Sequence, residues 1–216
     1  MSAIQIDKSR FSRALAGVAA AGVLAVTATA CSGSSSSDKP VADLKTLSGQ
    51  STAVKLDAGF IGALTALKLT PGVVGTAKLT DGSLIFPITG GHVTYYKPGS
   101  VNPFVQGEIQ HTGSGLSLTA GATKVELTNF DIDPGASKLY GDVAANGTSV
   151  VKHAYLFKLD GTTLKGLQTA GDTAILEGTK VEISPDAADL LDKTFKTTAV
   201  KAGLLVGIAK ITVNTK

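Results

Sequence analysis

The sequence predicts an all-β fold, an antiparallel β-sandwich or barrel with two short capping helices. Between about residue 50 and residue 216, apolar and polar residues alternate with a period of two, which is typical of half-buried strands. Turn dipeptides such as Asp81-Gly82, Asn146-Gly147 and Asp160-Gly161 separate these runs and favour tight hairpins. Only two stretches show helical spacing instead.

The strands are predicted from the alternation itself. In residues 122–134 (ATKVELTNFDIDP), Val125 and Leu127 alternate with polar residues, and the pattern changes register near Asn129, which indicates a bulge or a change of face. Short strands joined mostly by hairpins favour an antiparallel sandwich or barrel. Similar runs predict strands over residues 83–88, 91–96, 105–110, 115–119, 138–144, 149–159, 173–183 and 204–213.

Two helices are predicted from their caps and apolar faces. Residues 57–68 begin with Asp57 as a candidate N-cap. In residues 184–196, Ser184 is the candidate cap and Pro185 occupies the first helical position. Both helices are expected to cover exposed core with Phe60, Leu64, Leu190, Leu191 and Phe195.

A secretory leader precedes the β region. Lys8, Arg10 and Arg13 form a positive head, and residues 14–30 carry no charge and are shorter than the roughly 20 residues of a permanent membrane span. Cys31 follows at once and is the single cysteine of the chain. This arrangement resembles the lipobox of bacterial lipoproteins, in which the cysteine is acylated and becomes the new N-terminus. The alternatives are a plain secreted protein whose cleavage leaves a cysteine, and a buried free cysteine.

The resemblance implies three segments and a location. Residues 1–30 would be the signal peptide, residues 31–50 the lipidated cysteine with a serine-rich flexible tether, and residues 51–216 a single β-sandwich domain. Acyl chains on Cys31 would hold the domain at the extracellular face of the cell membrane.

Composition argues against several functions. Without residues 1–30 the chain holds 17 lysines, no arginine and 16 acidic residues, a net charge of +1. Nucleic-acid binding is not expected, because arginine is absent and the lysines are scattered. With Cys31 acylated, no thiol remains for a disulfide or a catalytic nucleophile.

Residues 52–213 also resemble a known family. The order of LTDGSLIFPITGGHV, GEIQHTGSGLSLTAGATKVELTNFDID, LYGDV and GIAKITV resembles the HtaA-like domains, β-rich haem-binding modules of secreted and surface proteins in high-GC Gram-positive bacteria. The resemblance implies a shared scaffold and makes haem a candidate ligand. The family's haem-ligating tyrosine would fall near residues 57–68, where this chain has no tyrosine, and its histidine position is Ser114.

Other histidines and tyrosines are candidates for a ligand site, because haem iron takes such a ligand inside an apolar pocket. Strand alternation places His92 and Tyr96 on one face and Tyr95 on the other. The alternative is that the tyrosines straddle core and water while the histidines are exposed. The candidate ligand-binding residues are His92, Tyr95, Tyr96, His111, His153 and Tyr155.

No motif predicts catalysis or a metal site. The histidines lack metal-ligand spacing, Asp131, Asp133 and Asp142 match a calcium loop poorly, and Ser114 near His111 lacks a nucleophile elbow. We therefore expect a protein that binds an apolar small ligand and is not an enzyme. The alternative is a structural or adhesive module that contacts envelope proteins. An enclosed apolar cavity reached past Tyr95 or Tyr96 would favour the first.

Overall fold

The computed structural model describes residues 39–216, and thirteen strands and two helices follow one another along that part of the chain. The leader, Cys31 and the serine-rich residues 32–38 lie outside the described residues. The strands are β1 Ala42–Leu44, β2 Ser51–Leu56, β3 Thr70–Gly75, β4 Lys78–Thr80, β5 Ser83–Pro87, β6 Gly90–Tyr95, β7 Val105–Ala120, β8 Thr123–Asp133, β9 Lys138–Ala145, β10 Thr148–Asp160, β11 Gln168–Ala170, β12 Thr173–Ile183 and β13 Leu205–Asn214. The helices are α1 Ala58–Ala66 and α2 Pro185–Phe195.

All the strands belong to one curled antiparallel sheet. Their order is β1-β6-β7-β8-β9-β10-β12-β13-β2-β5-β4, with β11 added beside β12 and β3 beside β7. Most neighbours in the middle of this order are joined by hairpins, as the turn dipeptides predict. The prediction of an all-β antiparallel fold with two short helices is confirmed, and its form is a half-barrel.

A two-residue corner, Ile88-Thr89, connects the two sides of the curled sheet. Strand β5 pairs with β2, whereas β6, which begins only three residues after β5 ends, pairs with β7. At the corner, Ile88 N donates to the Gln50 carbonyl (3.0 Å) and Thr89 N donates to the Gln110 carbonyl (2.8 Å). Because one bent segment bonds to both sides, inward-facing side chains of nearly every strand surround a common interior.

The helices cover part of that interior. Asp57 caps α1 by accepting from Gly59 N (2.8 Å), and Ser184 caps α2 by accepting from Ala187 N (3.0 Å). Both caps therefore occur where the sequence predicts them. Phe60, Leu64 and Leu191 are buried, while Leu190 and Phe195 pack against the core. Among residues 39–216 no helix is long and apolar enough to cross a membrane.

Two neighbouring bulges distort β7 and β8. The pairing register shifts between His111 and Gly115 on β7 and between Thr128 and Asp131 on β8. Asn129 has φ +53° and its side chain accepts from Gly113 N (2.9 Å), so the two irregularities are bonded to each other. The bulge predicted near Asn129 is confirmed. The strands predicted separately over residues 105–110 and 115–119 are one strand, because the bulge interrupts the alternation without ending the pairing.

Candidate functional site

An apolar cavity of about 590 Å³ lies inside the curled sheet. Strands β2, β5, β6, β7, β8, β9, β10, β12 and β13 all contribute side chains to its wall. Because a strand alternates its faces, these are the inward-facing members of each strand, and most are aliphatic or phenylalanine. Representative wall residues are Val54, Phe86, Ile109, Ile132, Val181 and Val213.

One buried polar pair interrupts this apolar wall. His111 on β7 and Thr52 on β2 both line the cavity, and both are almost fully buried, with His111 1% exposed. The His111 Nε2 lies 2.8 Å from Thr52 Oγ1, and its Nδ1 lies 3.3 Å from the main-chain carbonyl of Phe130. Both ring nitrogens of the imidazole are therefore engaged with the protein.

The Phe130 carbonyl determines which nitrogen of His111 carries the proton. A carbonyl oxygen can only accept, so Nδ1 must donate its N–H to it. In the neutral ring Nε2 is then an acceptor, and the Thr52 hydroxyl donates to it. The pair consequently has its remaining lone pairs on Thr52 Oγ1, since the Nε2 lone pair is used by the Thr52 hydroxyl.

Burial keeps this imidazole neutral. Removal from water lowers the pKa of His111 from 6.5 to about 4, because the charged form loses its hydration. The ring of His111 also packs edge to face with the apolar ring of Phe86, and the two ring centroids are 6.4 Å apart. Ser114 does not act on the ring, since its hydroxyl donates to the main-chain carbonyl of His111 (3.1 Å). The two residues therefore do not form a nucleophile and base pair.

Tyr95 lies in the cavity wall next to Phe104 and Leu167, which also line the cavity. This tyrosine lines the cavity, and its ring meets Phe104 edge to face at 5.8 Å. Its hydroxyl accepts from Leu167 N (3.4 Å), which connects β6 to the loop between β10 and β11. The exposed polar lining residues mark the rim, namely Asn102, Ser137, Thr162, Thr169 and Thr215.

The six candidate residues from the sequence fall in different places. His111 and Tyr95 line the cavity, whereas His92 is exposed on β6 and Tyr96 is half-buried just after that strand, and neither reaches the cavity. Tyr96 N donates to the Phe104 carbonyl (2.7 Å). The structure therefore brings two of the six residues to one cavity.

His153 and Tyr155 lie on β10, away from the cavity. The ring of His153 stacks on Tyr140, with centroids 4.5 Å apart and planes 9° from parallel. Lys138 Nζ lies 4.8 Å from the centre of the Tyr155 ring, a cation–π contact. Neither residue lines the cavity.

Thr52 is the cavity residue that sequence reasoning missed. It lies on β2, for which no strand was predicted. The signal was present, because Thr52, Val54 and Leu56 alternate with other residues in STAVKL just before the first helix.

Two of the three acidic residues around the bulge, Asp133 and Asp142, accept hydrogen bonds from the protein. Asp142 accepts from Asn129 Nδ2 and Lys152 Nζ, both at 2.9 Å, and Asp133 accepts from Ala136 N at 2.8 Å. Burial raises the pKa of Asp131, and the negative charge of the nearby Glu108 raises it further. Within residues 39–216 no group of three or more His, Cys, Asp or Glu side chains is arranged to hold a metal ion.

Comparison with known proteins identifies the fold. No protein-family model and no curated protein matches the chain. The crystal structure of the C-terminal domain of HtaA from Corynebacterium glutamicum matches with a TM-score of 0.53 at 13% identity, over 78% of this chain and 98% of that one. The heme binding protein HtaB from the same organism gives a TM-score of 0.47 at 8% identity, over 80% and 96% of the two chains. The likeness to the HtaA domain confirms the predicted scaffold.

Proposed function

We propose that this protein binds an apolar small ligand in the cavity inside its curled sheet. The cavity itself supports the proposal, because its volume of about 590 Å³ is within the range of roughly 300–1,000 Å³ that small-molecule sites occupy. Protein interiors are otherwise packed with few voids larger than a water molecule. A space of this size, walled by aliphatic and aromatic side chains and open at a polar rim, is suited to hold a guest molecule.

Haem is the second candidate ligand, and His111 is the observation that favours it. A neutral imidazole at an apolar cavity has the chemistry of an axial iron ligand. Two observations oppose it. The Nε2 of His111 already accepts from Thr52, and the cavity wall within residues 39–216 contains no lysine or arginine to neutralise the two propionates. The residues present therefore fit an uncharged ligand better than haem.

The test uses an uncharged apolar dye, N-phenyl-1-naphthylamine, whose fluorescence rises in apolar surroundings. We expect saturable binding to the purified protein, and weaker binding after Ala209→Met, which places a larger side chain in the cavity wall. Ala136→Met, on an exposed turn, is the matched control and should bind as the unchanged protein does. Ala174→Met is a second blocking variant, and thermal melting of each variant checks that it folds.

The same titration separates the alternatives. No saturable dye binding by a folded protein would contradict the proposal and favour a structural or adhesive module that contacts envelope proteins. A Soret band with haemin that is lost in His111→Ala would favour haem, whereas dye binding without such a band favours an uncharged ligand. Binding without chemical change of the guest is also what we propose in place of catalysis.

We further propose that the domain is held at the extracellular face of the cell membrane through an acylated Cys31. The apolar leader and the cysteine that follows it support this placement. The test is mass spectrometry of the N-terminal peptide of native protein, together with fractionation of cells that express Cys31→Ser. We expect acyl chains on Cys31 and release of the variant from membranes. An intact leader or an unmodified thiol would contradict the proposal.

A further inference from the structure

We propose that the ligand is an uncharged apolar molecule with a hydroxyl group, of the class of long-chain or polycyclic alcohols, and that this hydroxyl donates to the Thr52–His111 pair. The inference rests on the proposed function and names the chemical class that the cavity selects. Two observations support it. The Thr52–His111 pair can still accept a hydrogen bond, and the described cavity wall carries no charged side chain.

The single N–H of the neutral His111 ring is used by the Phe130 carbonyl, and the single O–H of Thr52 is used by His111 Nε2. In the described part of the chain, nothing else donates to Thr52 Oγ1, so its lone pairs stay available. The pair can therefore accept a hydrogen bond from a guest without giving up one of its own.

A guest hydroxyl carries a hydrogen and can donate it to Thr52 Oγ1, which leaves every buried polar group satisfied. An ether, ester or ketone oxygen would instead face lone pairs. Such an oxygen could be accommodated only if Thr52 turned its O–H away from His111, which would leave Nε2 without a donor.

Among residues 39–216 the cavity wall contains no lysine, arginine, aspartate or glutamate. A carboxylate or an ammonium group at the inner end would therefore be buried without a counter-ion, which is costly in an apolar setting. An alcohol avoids this cost. The polar side chains of the rim remain the place where a charged group could stay in water.

The test compares three guests of matched length as competitors of N-phenyl-1-naphthylamine. Decan-1-ol can donate and accept, 1-methoxynonane can only accept, and decanoate is charged. For the unchanged protein we expect decan-1-ol to displace the dye about tenfold better than the ether, the factor that one hydrogen bond of typical strength supplies. Decanoate should compete less well than the alcohol at pH 7.

Two variants test the assignment of donor and acceptor. In Thr52→Val, His111 Nε2 loses its partner and can accept directly from the guest, so the preference for the alcohol should remain. In His111→Phe, the Thr52 hydroxyl is freed as a donor, so the ether should bind as well as the alcohol. The dye itself reports whether the cavity is intact in each variant.

The outcomes separate the inference from the proposed function. Equal displacement by alcohol and ether in the unchanged protein, or a preference for decanoate, overturns the inference while dye binding leaves the proposed function standing. Absence of dye binding contradicts both. If His111→Phe does not fold, the nitrogen-15 shift of His111 Nε2 in the unchanged protein decides the assignment. We expect that shift to respond to decan-1-ol and not to 1-methoxynonane, and the reverse pattern overturns it.

Discussion

The buried imidazole of His111 should make the protein lose stability in mild acid. Its pKa is lowered from 6.5 to about 4 by burial, so below pH 6.5 the unfolded chain takes up a proton that the folded protein resists. The free energy of unfolding is therefore unaffected by this residue above pH 6.5 and falls as the pH drops towards 4. Below pH 4 the folded form is protonated too, and the loss reaches its limit.

The size of the loss follows from the difference between the two pKa values. Each unit of difference corresponds to about 1.4 kcal/mol once both forms are fully titrated. Linkage then gives a loss of roughly 2 kcal/mol at pH 5 and roughly 3 kcal/mol at pH 4. Out of a total stability of about 5–15 kcal/mol for a typical domain, this is a large fraction.

The assay is urea unfolding followed by far-ultraviolet circular dichroism at pH 7, 5 and 4, on the unchanged protein and on His111→Phe. All other titrating groups are present in both proteins, so their contributions to the pH dependence of unfolding cancel when the two free energies are subtracted. At pH 7 the unchanged protein should be the more stable, because the variant leaves Thr52 and the Phe130 carbonyl without their partner. Between pH 7 and pH 4 the stability of the unchanged protein relative to the variant should fall by roughly 3 kcal/mol. A difference that stays constant to within about 0.5 kcal/mol over this range would refute the argument.

Five further substitutions should alter the free energy of urea unfolding by different amounts. Ser184→Ala removes the α2 cap and should cost about 1–2 kcal/mol. Leu156→Ala empties a fully buried position and should cost about 2–5 kcal/mol, whereas Val150→Ala, on the exposed part of β10, should change stability by less than about 0.5 kcal/mol. Gly91 has φ +110°, and Gly91→Ala would place a methyl group against a carbonyl oxygen of β7, which should prevent normal pairing of β6. Gly147 has open space around it, so Gly147→Ala should cost only about 1 kcal/mol. Equal losses for the two glycine variants would contradict the steric explanation.

Local chemistry explains which elements could be predicted from the sequence. Helix α2 was predictable because its cap, its first-position proline and its apolar face lie within a dozen residues. Strand β3 was not, because TPGVVG is rich in glycine and largely exposed, so it has no clear alternation. Its place in the sheet is given by pairing with β7, a contact that depends on the fold as a whole.

The candidate site was less predictable than the fold for a related reason. The alternation that predicts strands stops at the bulge after His111, so the face of this residue could not be assigned from the pattern. Its partner Thr52 lies on a strand that is not adjacent to β7 in the sheet order, and only the curl brings them together. Tyr95 was easier, because simple alternation separates it from His92 and Tyr96.

The pairing of β2 with β13 affects how the chain must fold. Ser51 lies opposite Thr212, so strands from opposite ends of the described chain are neighbours. Such long-range pairing gives a high contact order, for which folding takes milliseconds to seconds instead of microseconds. The cavity wall is complete only once β13 has paired with β12 and β2, because Val206, Ala209 and Val213 of β13 line it.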